Sequence, residues 1–175
     1  MTSTDNSPVP QERNDGADGK RNAWDLRFGS KKGNFLTSIT IHNGKAVTKK
    51  VRTDDNNLLR KGQYAISDIN IDSPEAVELA TEVLGMRPGN PEIQDDWIKG
   101  YHFTISGYLT DPNSYDMRLL LRVMGISPNS PNSESESLRM TVFFDGKTGE
   151  MLNASEMTGY DKEGRTSWKD VSGSN

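Results

Sequence analysis

Apolar and polar residues alternate one for one in segment after segment of this chain. In "NFLTSITI", Phe35, Thr37, Ile39 and Ile41 fall on one face. Trp24, Leu26 and Phe28 alternate with polar neighbours just before it. Within 97–109, Tyr101, Phe103, Ile105 and Leu109 face one way, and His102, Thr104, Ser106 and Tyr108 the other. Met117, Leu119, Leu121 and Val123 do the same in 117–126, and Leu138, Met140, Val142 and Phe144 in 138–144. A period of two is the mark of strands, because successive side chains leave opposite faces of the pleat. Segment 117–126 is also rich in good helix formers, but its alternation favours a strand. Asn43-Gly44 suits a type I′ hairpin turn, with "AVTKKVR" as the return strand.

One segment breaks the pattern. In "DSPEAVELATEVLG" (72–85), Ala76, Val77, Ala80, Val83 and Leu84 recur at helical spacing. Ser73 can cap it, with Asp72 and Glu75 as a competing capping box and Pro74 in the first turn. Gly85 suits the stop. The order is three strands, one helix and four strands. That predicts an α+β fold: an antiparallel sheet with one main α-helix packed on a face. Residues 1–22 hold only Met1, Val9 and Ala17 as apolar side chains and read as a disordered polar tail. Residues 23–160 read as a single domain, with a β-hairpin region over 23–70. Residues 161–175 read as a flexible C-terminal tail. "SPNSPNSESES" (127–137) has no apolar residue and reads as a mobile loop between strands.

"DGKTG" (145–149) contains the Gly-Lys-Thr that ends a phosphate-binding loop. Such a loop needs a glycine five residues before Gly146, where Thr141 stands, and it must open a helix. Alternating residues follow instead. The stretch reads as a five-residue hairpin loop, with Gly146 and Gly149 supplying positive φ angles. His42 and His102, the two histidines, have no ligand partner close in sequence. "DPNSYDM" lacks the central glycine of a calcium loop. No serine-nucleophile elbow or zinc-protease motif occurs. The sequence therefore assigns no catalytic residue, no cofactor-binding residue, no metal ligand and no cofactor. Nothing points to an enzyme.

The net charge is −4 and the pI about 5.2. With no basic stripe apart from "GKAVTKKVR" (44–52), this argues against nucleic acid as a partner. Lysines on one strand read as protection against edge-to-edge aggregation. There are no cysteines, and no run approaches the roughly 20 apolar residues that span a bilayer. Met1 leads straight into a polar tail, the pattern left when an exported chain has lost its leader or anchor.

"IDSPEAVELATEVLG" resembles the opening helix of PepSY-type domains. "WIKGYHFTISGYL" resembles their following strand. "LRMTVFFDGKTGEMLN" resembles their closing hairpin, with Asp145, Thr148, Gly149 and Glu150 matching its turn. The resemblance covers about 70–155, making 71–155 a PepSY-like unit. It implies a cystatin-like α+β module of the bacterial cell envelope, and it carries over no catalytic residue. The expected function is a non-enzymatic extracytoplasmic protein-interaction module, possible soluble part of a lipoprotein, with a protein or peptide partner. Membrane contact would come only through a removed N-terminal anchor. Trp97, Tyr101, Tyr108, Tyr115, Tyr160 and Trp168 are the candidate contact aromatics. One alternative is a protease inhibitor presenting 127–137 or 145–149. Another is a small-ligand protein or enzyme with a pocket between helix and sheet.

Overall fold

The computed structural model describes residues 1–3, 14–29, 36–52, 64–90, 99–111, 116–131 and 138–173. In chain order the strands are β1 (Thr2–Ser3), β2 (Ala23–Gly29), β3 (Leu36–His42), β4 (Lys45–Arg52), β5 (His102–Asp111), β6 (Asp116–Ile126), β7 (Arg139–Asp145), β8 (Met151–Tyr160) and β9 (Thr166–Asp170). Among the described residues, a 3-10 turn (Ile66–Asp68) and one helix, α1 (Ser73–Leu84), lie between β4 and β5. All strands join one antiparallel sheet in the order β4-β3-β2-β1-β5-β6-β7-β8-β9.

This corrects the expected α+β fold with one main helix on a sheet, and the cystatin-like arrangement with it. The molecule is a nine-stranded antiparallel sheet in which a 12-residue helix is a minor element. The physical reason lies in what each element buries. Helix α1 buries only three side chains, Ala76, Val77 and Ala80. Strands β5, β6 and β7 bury Phe103, Leu121, Val123, Met140, Val142 and Phe144. Large side chains on long strands decide the architecture, at roughly 1.5–3 kcal/mol for each one fully buried.

Local chemistry forms the helix as its sequence indicates. Asp72, not Ser73, is the N-cap, and its Oδ1 accepts the Glu75 N–H at 3.1 Å. Gly85 ends the helix in the left-handed region at φ 66°. Val83, placed on the apolar stripe by its spacing, is exposed.

Residues 1–22 carry structure wherever they are described, against the expected disorder. β1 is only two residues long, yet it is the seam of the sheet. It pairs with β2 on one side and β5 on the other, joining the β2–β4 meander to the β5–β9 meander. Ser3 is buried, and its Oγ accepts the Phe103 N–H at 2.8 Å. A second tie lies at 14–21. The Arg21 guanidinium donates to the carbonyls of Asn14 and Lys99, and the Asp15 carbonyl accepts the Tyr101 N–H at 2.6 Å. Gly19, at φ 75°, sits where a Cβ would fall 2.2 Å from Pro74 N, so only glycine lets this segment cross the helix start.

The C-terminal tail is likewise not free. Within 161–175, β9 pairs with β8. Val171 is buried in the core, and its N–H donates to the Ala154 carbonyl at 2.9 Å. Segment 117–126 is strand β6, as its alternation indicates.

Candidate functional site

The sheet's core face is covered unevenly, and the candidate site lies where that cover stops. An open cleft of about 410 Å³ sits between the start of α1, the 3-10 turn and the sheet. Its apolar walls include Trp24, Ile69, Ile71, Phe103, Ile105 and Leu121. Trp24 stacks on Phe103 with ring centroids 6.0 Å apart and an interplanar angle of 24°. The Trp24 indole is held in place because its Nε1–H donates to the Arg21 carbonyl at 2.8 Å. Ile66 stands at the rim, 75% exposed.

The cleft does not end at Trp24. Register places Leu26 and Phe28 on the Trp24 side of β2, opposite Ile39 and Thr37 of β3, with Ile41 opposite Trp24 itself. On β4, Ala46, Lys49 and Val51 continue that face. Phe28 is 39% exposed and Val51 57%. An apolar strip thus runs from the cleft onto β2 and β3, bordered on β4 by Lys49 between Ala46 and Val51, with no described element over it.

The polar groups around the cleft are mostly committed to structure. The Asp72 carboxylate caps the helix. The Asn70 side chain donates to the Lys147 carbonyl at 2.7 Å, and its backbone N–H donates to the Gly146 carbonyl at 2.8 Å. Ser73 and Glu75 complete the polar lining. The Met1 ammonium, also at the lining, donates to the Ile105 carbonyl at 2.8 Å. A hydroxyl and a carboxylate with no imidazole or side-chain amine among the lining residues do not make an activated nucleophile. The cleft can accept apolar side chains, and its rim can hydrogen-bond at the margin.

The 145–149 loop is a hairpin between β7 and β8, as its sequence indicates. Its glycines act differently from expectation. Gly149 has the positive φ, 76°, while Gly146 does not. Gly146 is needed for space instead, since a Cβ there would lie 2.7 Å from Leu119 Cγ. Asp145 organises the turn. Its Oδ1 accepts the N–H groups of Lys147 and Thr148, and its Oδ2 accepts Arg118 Nε at 2.6 Å. Burial pushes the Asp145 carboxyl up, but these three donors together hold it below the usual aspartate value. The carboxylate is occupied by the fold rather than available for proton transfer. With Asn70 clamped to Gly146 and Lys147 from the other side, the hairpin is pinned to the cleft's edge.

The described part of the 127–137 loop, residues 127–131, is held by hydrogen bonds. Ser127 is fully buried, and its Oγ–H donates to the buried Glu156 carboxylate. Asn129 Nδ2 donates to the same oxygen at 2.8 Å. Arg87 donates to the carbonyls of Ser127 and Ser130, both at 3.1 Å. Ser130 Oγ accepts the Leu138 N–H at 2.8 Å. This polar knot closes the base of the loop.

The candidate aromatics scatter. Tyr101 is core: its hydroxyl donates to the Met86 carbonyl at 2.8 Å, and burial raises its pKa above the ordinary tyrosine value. Tyr108, Tyr160 and Trp168 are exposed, on β5, β8 and β9, and do not join the cleft. Trp97 and Tyr115 lie outside the described residues. His42 and His102 are on different strands, and among the described residues no group of three His, Asp or Glu lies together to hold a metal. Sequence reading did not single out Trp24, which lines the cleft, or Phe28, which is exposed on the strip. Their alternation was visible, but only the fold shows that helix cover stops before them. Burial lowers the Arg21 pKa to about 10, so this guanidinium stays cationic at neutral pH. No family model, curated protein or solved structure matches this chain.

Proposed function

We propose that this chain is a non-enzymatic protein-interaction module that seats apolar side chains of an extended partner in the Trp24–Phe103 cleft and along the β2–β3 strip. The carrying observation is the apolar strip that leaves the cleft and stays uncovered among the described residues. An exposed, continuous apolar surface with a polar rim is a common mark of a partner site. Trp24 supplies an immobilised aromatic of the kind that anchors interfaces. The compartment proposed is the bacterial cell envelope, and the partner is a protein or peptide there. The segment-level resemblance to PepSY-type domains supports that setting.

The test compares wild type with Leu26→Glu, which places a carboxylate in the middle of the strip. Both are used as bait in envelope extract, with a photo-crosslinking residue at position 66 on the cleft rim. The expected result is a crosslinked partner segment on wild type that is lost on Leu26→Glu while the fold, read by circular dichroism, is kept. If both baits crosslink the same material, or neither does, the cleft is not the site.

A further inference from the structure

β4 is the last strand on its side of the sheet, and its outer edge pairs with no other described strand. An edge strand offers a row of N–H and C=O groups that another extended chain can match. β4 spans eight residues and contains no proline. Its one irregularity lies at Val47, where Ile41 pairs with Ala46 and Thr40 with Thr48. From Thr48 to Arg52 the register is regular.

The two faces of this edge differ. Ala46, Lys49 and Val51 share the face of Ile41, Ile39 and Thr37, while Lys45, Thr48 and Lys50 share the other. Charge is concentrated here as well. Residues 23–52 hold seven lysines and arginines against the single Asp25, a balance of +6 in a chain whose net charge is −4. The rest of the chain therefore carries −10. A second β4 is a poor occupant, since pairing two copies would set Lys45, Lys49 and Lys50 against like charges across the ladder. An acidic strand is the complementary one.

We infer that the β4 edge takes up an acidic, extended peptide as a tenth strand. Its apolar residues alternate onto the Val51 face, and its carboxylates lie beside Lys45 and Lys50. The inference rests on the binding-module reading for its biological sense. It uses the backbone edge of β4 rather than the Trp24 cleft, however, so the two can fail separately. Backbone pairing supplies affinity, and the lysines reject neutral or basic strands that would otherwise add to the edge.

The probe is a fluorescein-labelled octapeptide, acetyl-Val-Glu-Val-Glu-Thr-Glu-Val-Glu-amide, followed by fluorescence polarisation with the full chain. Saturable binding is expected. The Lys49→Glu/Lys50→Glu double variant, altered only at exposed positions, weakens it at least about 10-fold, and the matching lysine peptide does not bind. Two further peptides carry N-methyl groups on alternate amides, one on the even set and one on the odd set. Strand addition requires that one set abolishes binding and the other leaves it nearly unchanged, because only alternate amides face the partner strand. Equal affinity of both methylated peptides would overturn the proposal in favour of plain charge attraction. So would failure of the acidic peptide while phosphatidylglycerol vesicles bind. Leu26→Glu, which places a carboxylate in the strip on β2, leaves the peptide affinity in place. If it weakens the peptide as much as charge reversal does, the peptide is on the cleft face and the edge proposal fails.

Discussion

Asp145 shows how one side chain can carry a turn that looked like a nucleotide motif. Its carboxylate accepts two backbone N–H groups and the Arg118 guanidinium. Burial alone would raise its pKa, and the three donors lower it below 3.8. The sign of the pH effect follows. A carboxyl whose folded pKa lies below its unfolded value contributes stability that is complete above the unfolded value and is lost as pH falls through the folded one. Asp145→Asn is therefore expected to cost about 1.5–3 kcal/mol near neutral pH, the range for hydrogen bonds to a charged group. The Arg118 share sits at the low end, because that side chain is 44% exposed and screened. The cost should shrink as pH drops below about 4. Urea unfolding of both proteins across that window checks it, and a cost independent of pH would remove the charge from the explanation. At this scale much was legible. The Asp-Gly-Lys-Thr-Gly turn, the Asp72 and Glu75 cap and the Gly85 stop are local interactions, and local spacing encodes them. The need for glycine at 146 was not, because Leu119, which would meet its Cβ, lies far away in sequence.

The strands and the helix were legible as elements because periodicity within a segment survives without tertiary information. β6 is the clearest case: its composition allowed a helix, and its alternation settled on a strand. Two-residue β1 has no period to read. Its meaning comes from Phe103, 100 residues from Ser3 in sequence. For the same reason 14–21 looked like tail, though Arg21 is buried and donates to Asn14 and Lys99. The polar side chains there bond backbone groups: Asn14 and Arg21 donate to carbonyls, and Asp15 and Asp18 accept N–H groups. Arg21→Ala should remove both bonds and leave two carbonyls short of donors, costing about 2–3 kcal/mol. Replacement by lysine should recover only part, since an ammonium lacks the planar fork that spans two carbonyls. Thermal unfolding of the three proteins gives the order wild type, Arg21→Lys, Arg21→Ala. Equal midpoints would mean the 14–21 tie contributes nothing.

Over the whole molecule, the sheet is continuous in hydrogen bonding but not in burial. β6 and β7 alternate buried with half-buried side chains, whereas the described side chains of β4 are exposed and those of β3 half-buried throughout. The helix packs against β6 and joins the core cluster of β5–β8, and among the described residues no helix lies over β2–β4, which leaves the candidate site open. Sequence reading placed the helix correctly and misjudged its share, because amphipathicity tells that a helix has a face to bury, not how much sheet it can cover. Regions with few buried contacts open more readily than the core. Native-state hydrogen exchange should accordingly find the slowest amides in β6 and β7 and faster exchange in the β2–β4 meander. Arg21→Ala, which loosens the tie beside the seam, should speed exchange in β2 and β3 while leaving β6 and β7 nearly unchanged. A bound partner on the cleft and strip should slow β2–β3 first. A single common exchange rate across β3 and β7, in wild type and variant alike, would show that the two meanders open as one unit, and the uneven cover would then have no dynamic consequence.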